Sequence, residues 1–537
     1  MTTFTTPTKH DRPAGAHFAD LRPRHRAVLA RGSWRRVTRR IVCGLACALT
    51  VSSLLMPSIS LAAEWVDVGG TQYNAGTAAG DDAGTWSWDG ADDMKLNGYD
   101  GGAIQAEGKL NVSYSGNSTV TNENGRGILV MDGNAENAEL NIQGDASSTL
   151  NVTSSGDAIM SDGDINIDGA GTVNATSTEH DAIDAKGDLT IKGGGTVEAS
   201  SVEDVAIWAG GNIEISGGSQ VKAGSEEDYA VKAIGGLTVT NASLNANGVG
   251  YGVYAYKGIT LDHATVTVRA AAERDGVSAL FTDEDDIVIK NGSIVDAFAE
   301  GEFSTAISTR NYNPNEAGGH IYISDSVVKA IARYAEIGGD GPACYSGDQD
   351  GEITPERRGV NIGIFAQTSK GITPATISIV RSTVTAEGDT AAIFALAMSA
   401  DGKAIGTIEI EGASILTPEG GKVIDYRHKE ELSDGTVYEA GQAIGTGDAV
   451  IDSPYDDAVA KRAVIAPSEE TKPEDFKPDS KPEGTKTTKT VATATVGAKT
   501  VGKLAATGDT SGATIVATAL AGAAAIAAGA VASRKRS

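Results

Sequence analysis

Aromatic side chains are scarce in this 537-residue chain, at 5%, and there are only three cysteines and seven histidines. Cys43 and Cys47 fall in a hydrophobic N-terminal run, so Cys344 has no partner for an intramolecular disulfide in the chain beyond that run. Stability must then come from burial and hydrogen bonding. The histidines offer no catalytic constellation: His10, His17 and His25 lie near the N-terminus, and His180, His263, His320 and His428 are scattered without a Ser or Cys arrangement. Acidic pairs are too numerous to single out a glycosidase dyad. A polysaccharide lyase would need a base beside a calcium cluster; Lys232 and Arg269 could serve, but no motif supports them. The chain is therefore read as a protein without catalytic residues. Positive charge is also lacking, with 44 Lys and Arg against 71 Asp and Glu. The two ends are basic, and between residues 64 and 508 the balance is 31 basic against 68 acidic residues. Such a body repels nucleic acid and anionic lipid, and it either attracts divalent cations and basic partners or simply stays dissolved.

The ends carry addresses. Arg35, Arg36, Arg39 and Arg40 precede an apolar run from Ile41 to Leu55, closed by Ser60-Leu61-Ala62-Ala63. A basic region, an apolar region and small residues in that order form a secretory signal, with cleavage expected after Ala62 or Ala63. Arg39-Arg40 leave the general and the twin-arginine export routes both open. At the other end, Leu504-Ala505-Ala506-Thr507-Gly508 precedes an uncharged stretch from Thr510 to Ser533 and a final Arg534-Lys535-Arg536. The apolar part is long enough to cross a bilayer once, with the basic cluster holding it on the cytoplasmic side. This order resembles the cell-wall sorting signal of sortase substrates. Ala505 in place of the common Pro resembles the variant used by high-GC Gram-positive bacteria. The resemblance implies that a sortase cysteine attacks the Thr507 carbonyl, releases Gly508 onward, and passes the Thr507 acyl group to an amine of the peptidoglycan precursor. Membrane contact would be confined to the transient C-terminal span, and the mature chain would be a secreted protein fixed covalently to the wall. Residues 467–503, with Lys472-Pro473, Lys477-Pro478 and Lys481-Pro482, read as an extended spacer of the kind that crosses a wall.

The body repeats. A small residue before an aliphatic one recurs at Gly127-Ile128, Ala158-Ile159, Ala182-Ile183, Ala206-Ile207, Ala230-Val231, Gly252-Val253 and Gly276-Val277, mostly 24 residues apart. Weaker copies follow at Ala306-Ile307, Gly363-Ile364 and Ala392-Ile393. Each repeat also holds an alternating strand, such as Asp188-Leu189-Thr190-Ile191, and a third after a Gly-rich turn, such as Thr196-Val197-Glu198-Ala199. Three half-buried strands per fixed period predict one triangular coil of an all-β, single-stranded parallel β-helix. Stacking at about 4.8 Å per coil makes eleven or twelve coils a rod on the order of 50 Å. The expected organisation is a signal peptide (1–63), an N-terminal cap (64–98) and the β-helix (99–417). A C-terminal cap region (418–466), the spacer (467–503) and the sorting signal (504–537) follow.

Gly156-Asp157-Ala158-Ile159, Asp164-Ile165-Asn166-Ile167 and Gly171-Thr172-Val173, with their counterparts 24 residues on, are similar to the repeat of a clostridial-type carbohydrate-binding family. That family has a right-handed, pectate-lyase-like β-helix. The resemblance implies polysaccharide binding and calcium, with no lyase role. Ala and Val often stand here where the family has Gly-Asp-Gly. The residues themselves also offer sites. Glu179, Glu203 and Glu227 fall in register, as do Asp157 with Asp181, Asp164 with Asp188, and Asp204 with Asp228. Stacked carboxylates repel unless they are hydrated or bridged, and calcium is the cation that irregular acidic turns accept. The residue after each aliphatic anchor should face outward, which gives Met160, Asp184, Trp208, Lys232, Tyr254, Ser278, Phe365 and Phe394. Trp208, Lys232 and Tyr254 are the expected ligand contacts, with extracellular polysaccharide as the expected partner. Adhesion, enzymatic action on polysaccharide and a passive stalk are the competing readings.

Overall fold

The computed structural model describes residues 62–132, 138–272, 276–311, 318–334, 361–369, 375–398, 406–426, 430–431, 437–438, 448–451 and 459–468. The acidic segment with Cys344, the leader as far as Leu61, most of the spacer and the Leu504–Gly508 motif lie outside the described residues. What is described is an all-β parallel β-helix built from three long sheets of fifteen, fourteen and thirteen strands.

One coil shows the plan. Ile183–Ala185 lies in the first sheet, Leu189–Lys192 in the second and Thr196–Ser201 in the third. Each strand pairs in parallel with its counterparts in the coils before and after. Alternate residues point inward, so Leu189 and Ile191, then Val197 and Ala199, are buried while Thr190 and Glu198 are not. The first-sheet anchors form one column: Ile104, Ile128, Ile159, Ile183, Ile207, Val231, Val253, Leu280, Ile307, Ile364 and Ile393. None of them exposes more than 1% of its surface. Burying each such side chain contributes about 1.5–3 kcal/mol, and a single coil cannot supply that burial alone.

The corners explain the small residue before the anchor. Ala158, Ala182, Ala206 and Ala230 fit there and are fully buried. At Gly252 even a methyl group is too much: an added Cβ would lie 2.2 Å from Val268 Cγ1 and 2.9 Å from the Arg269 carbonyl. At the corner between second and third sheets the chain turns through left-handed residues, including Asn241, His263, Asn291, Asp325 and Arg381 in successive coils. Asn, Asp and His are the non-glycine residues that best tolerate that conformation.

Both ends depart from the parallel pattern. Trp65–Val68 pairs antiparallel with Ile104–Glu107 and with Thr71–Asn74. Trp86–Trp88 pairs antiparallel with Asp93–Asn97, which is itself already parallel to Lys109–Ser115. At the far end Arg462–Pro467 runs antiparallel between Thr383–Gly388 and Ala413–Thr417. Asp448–Ile451 likewise covers Ala391–Met398. Antiparallel closure occupies hydrogen-bonding edges that a bare parallel stack would present to another chain.

Gly252→Ala should therefore destabilise the protein by about 1–3 kcal/mol, although alanine fills the equivalent position one coil earlier. The measurement is the urea midpoint of the full chain. An unchanged midpoint would mean that this corner relaxes around the extra methyl group.

Candidate functional site

The outer surface of the first sheet gathers the chain's scarce aromatics. Backbone pairing places the expected column in register as Met160, Asp184, Trp208, Lys232 and Tyr254. The next member is Phe281, not Ser278, because Val253 pairs with Leu280 and Ser278 falls beside Tyr251. Asp275-Gly276-Val277 is thus not the anchor triplet; Ala279-Leu280 is. The column continues through Ser308, Phe365 and Phe394. The expectation that all of it faces solvent also needs correction. Met160 and Asp184 are buried, Phe281 is buried beneath neighbouring side chains, and Trp208, Lys232 and Tyr254 are half-buried.

A parallel column, two residues before each anchor, runs through Asp157, Asp181, Val205, Tyr229 and Tyr251. Tyr229 and Tyr251 therefore stand beside Lys232 and Tyr254. Their rings meet edge to face at 4.8 Å between centroids, and Tyr254 stacks on Tyr229 at 5.9 Å. Phe281 packs at 5.2 Å from Tyr251 and 5.7 Å from Tyr254. Cations lie over these rings: Lys186 Nζ is 4.4 Å from the Trp208 ring, Lys232 Nζ 5.1 Å from Tyr229, and Arg310 5.2 Å from Phe281. Attraction between a cation and the π face holds such side chains flat along the surface. The Tyr254 hydroxyl donates to Asp283 Oδ2 at 3.3 Å, and Tyr256 donates to Glu284. Burial, with Asp283 beside it, pushes the Tyr254 phenol up, and the Glu284 hydrogen bond pushes Tyr256 up to about 12. Both phenols stay protonated at neutral pH and serve as fixed donors. Sequence reasoning missed Tyr229, Tyr251, Tyr256 and Phe281. The first two stand directly before the small residue in Tyr229-Ala230-Val231 and Tyr251-Gly252-Val253, which is the signal that identifies them.

The acidic ladders divide into three kinds. Asp164, Asp188 and Asn212 cap the coil above: Asp164 Oδ1 accepts the Asp188 amide at 2.8 Å, Asp188 Oδ1 accepts the Asn212 amide at 2.6 Å, and Asn212 Oδ1 accepts the Gly236 amide at 3.0 Å. Glu179, Glu203 and Glu227 are exposed on turns held by Ser177, Ser201 and Ser225, buried serines whose hydroxyls bond to turn backbone. Among the described residues they join no group of converging carboxylates. Asp157 and Asp181 do converge, with Asp184 as a third member, and one oxygen of each lies within 4.8 Å of the others. Asp157 and Asp184 are buried and Asp181 is partly so. Arg126 pairs with Asp157 at 2.7 Å and Lys186 with Asp184 at 2.6 Å. Asp181 accepts the Val205 amide at 3.1 Å. Burial first, and then Asp204, Asp184 and Asp157, push its carboxyl up to about 8.

The acidic run Asp283–Asp286 is engaged elsewhere. Asp283 pairs with Arg310 at 3.0 Å, Glu284 with Lys257 at 2.5 Å, and Asp286 accepts the His320 amide. Arg269, one of the two bases considered for a lyase, lies in the third sheet and pairs with Asp296 at 2.8 Å. Lys232 lies in the first sheet, so the two do not share a face. No protein-family model, curated protein or solved structure matches this chain.

Proposed function

We propose that this chain is a cell-wall-anchored surface protein that binds polysaccharide along the outer face of its first sheet, without catalysing a reaction on it. One observation carries the binding reading. In a chain with 5% aromatics, Trp208, Tyr229, Tyr251, Tyr254, Tyr256 and Phe281 come from four successive coils to one face. Sugar rings present flat C–H faces that stack on aromatic rings, and their hydroxyls take hydrogen bonds from neighbouring polar groups. Half-buried Trp208 and Tyr254 supply the flat surfaces. Lys232 between them, together with the phenols held by Asp283 and Glu284, supplies polar contacts. A repeating surface of this kind suits a repeating polymer, since each coil advances the strip by one strand spacing of about 4.8 Å.

The anchoring part rests on the order of signals in the sequence: a leader, the body, a Pro/Lys-rich spacer, Leu504-Ala505-Ala506-Thr507-Gly508, an apolar span and a basic tail. The partners of that end are a sortase and the peptidoglycan precursor. Thr507→Ala should move the chain out of the fraction released from walls by a muralytic enzyme and into membrane and medium. Retention in the wall fraction would contradict sortase attachment at Thr507.

Binding is tested by retention of the full chain on a panel of soluble and insoluble polysaccharides. Trp208→Ala and Tyr254→Ala should each weaken retention by roughly tenfold, the factor that corresponds to about 1.4 kcal/mol. A protein retained by no polysaccharide, or one that binds equally well without these rings, would leave a passive stalk or a protein adhesin as the better reading.

A further inference from the structure

We propose that Asn124 is a self-modification site, at which the backbone nitrogen of Gly125 closes on the Asn124 side chain and converts it to aspartate and isoaspartate. Asn-Gly pairs occur in the chain at Asn97, Asn124, Asn247 and Asn291. Asparagine before glycine is the pairing most open to this reaction, because glycine has no side chain to block the approach and the freest backbone. The pairs are alike in sequence. The hydrogen bonding around each glycine separates them.

Ring closure needs an accessible asparagine and a glycine N–H that no acceptor holds. Three of the pairs do not meet that requirement. The Gly98 amide donates to the Ser115 carbonyl at 3.2 Å, and the Ser115 hydroxyl donates to Asn97 Oδ1 at 3.2 Å. The Gly292 amide donates to the Asp325 carbonyl at 2.7 Å, and Asn291 Nδ2 donates to Asp262 Oδ1 at 2.8 Å. Gly248 is buried in the strand Ser243–Gly248 and pairs with Ala270 of the next coil, so the backbone around Asn247 is held extended. Asn124 differs. It stands exposed at the corner between the third-sheet strand Asn117–Asn122 and the first-sheet strand Ile128–Met131. Among the described residues, no acceptor takes the Gly125 amide. The Asn122 side chain braces the turn on either side, accepting the Asn124 amide at 3.2 Å and donating to the Arg126 carbonyl at 2.7 Å. The Gly125 N–H lies between those two bonds and shares in neither.

Water and hydroxide are the only co-reactants. Hydroxide removes the Gly125 amide proton, and that nitrogen bonds to Asn124 Cγ. The bond from Cγ to the side-chain nitrogen breaks, and ammonia leaves with a proton taken from water. Water then opens the cyclic succinimide at either carbonyl. One opening gives aspartate. The other gives isoaspartate, in which the main chain runs through the former side chain and gains a carbon. Either product places a new negative charge close in sequence to Arg126, the cation that holds Asp157 of the next coil at 2.7 Å. Isoaspartate also lengthens a corner that is tied to that coil, since the Gly125 carbonyl accepts the Gly156 amide at 3.0 Å.

Ageing the full chain at mildly alkaline pH, folded and in parallel in denaturing urea, tests the proposal. Peptide mass spectrometry reads amide loss at each Asn-Gly pair, and an isoaspartate-specific methyltransferase marks the longer product. In the folded chain Asn124 should lose its amide at least about tenfold faster than Asn97, Asn247 or Asn291, and in urea the rates should draw within about threefold of one another. Gly125→Ala should slow conversion in the folded chain by roughly tenfold. Its added Cβ would lie 3.3 Å from Asn122 Nδ2, the end of a side chain that can swing aside, and circular dichroism checks that the β-fold is kept. Amide loss at any of the other three pairs as fast as at Asn124 in the folded chain would overturn the proposal. So would an Asn124 that stays intact in the folded chain while urea releases it to react, or a conversion rate unchanged in Gly125→Ala.

Discussion

The register of one coil upon the next is the constraint on which this protein depends. Column packing of Ile104, Ile128, Ile159, Ile183, Ile207 and their successors is possible only if every strand lands on its counterpart. In a β-strand, a slip by one residue would exchange the inward and outward sets, exposing the aliphatic column and burying charge. The same constraint fixes the outer face. Once Ile183, Ile207, Val231 and Val253 are stacked inside, Asp184, Trp208, Lys232 and Tyr254 must form a row outside. The candidate ligand surface is thus a direct consequence of core packing.

Register also creates a difficulty, because a repeat stacks like upon like. The chain resolves it in several ways. Where Asp164 and Asp188 superpose, each carboxylate accepts the amide of the coil above, so the stack is a chain of hydrogen bonds. Where Glu198 would meet another acid, the next coil carries Lys222 and the two pair. Asparagines at 117, 151 and 174 bond along their own row through amide groups that both donate and accept. Asp157, Asp181 and Asp184 are the place where these devices run short, since Asp184 Oδ1 is left without a donor.

Much of the fold could be read from the sequence because its determinants are local and periodic. The recurring small-aliphatic pair, the alternation in Asp188–Ile191 and the Gly-rich turns all repeat at one period. The column beyond Tyr254 was misread for the same reason: Gly276-Val277 imitates an anchor pair, but the longer strand Val277–Thr282 puts Leu280 on Val253 and Phe281 beyond Tyr254. Periodicity gave no hint that the anchor had moved within the strand. Site geometry was less legible because it depends on two columns at once. Asp157 and Asp181 were visible as a ladder, but Asp184 belongs to the neighbouring column and joins them only when the face is assembled. Tyr229 and Tyr251 joined Tyr254 in the same way. The Glu179, Glu203 and Glu227 ladder shows the opposite case, in which perfect sequence register yields exposed turn residues and no converging group.

Hydroxyl-radical footprinting of the full chain, with and without a polysaccharide that retains it, tests the central claim most directly. It reads each aromatic ring separately. Bound polymer should lower oxidation at Trp208, Tyr229, Tyr254 and Tyr256 together, while Trp65 and Tyr73 at the N-terminal end stay unchanged. Protection that appears only at other residues, with those four rings oxidised as before, would contradict it.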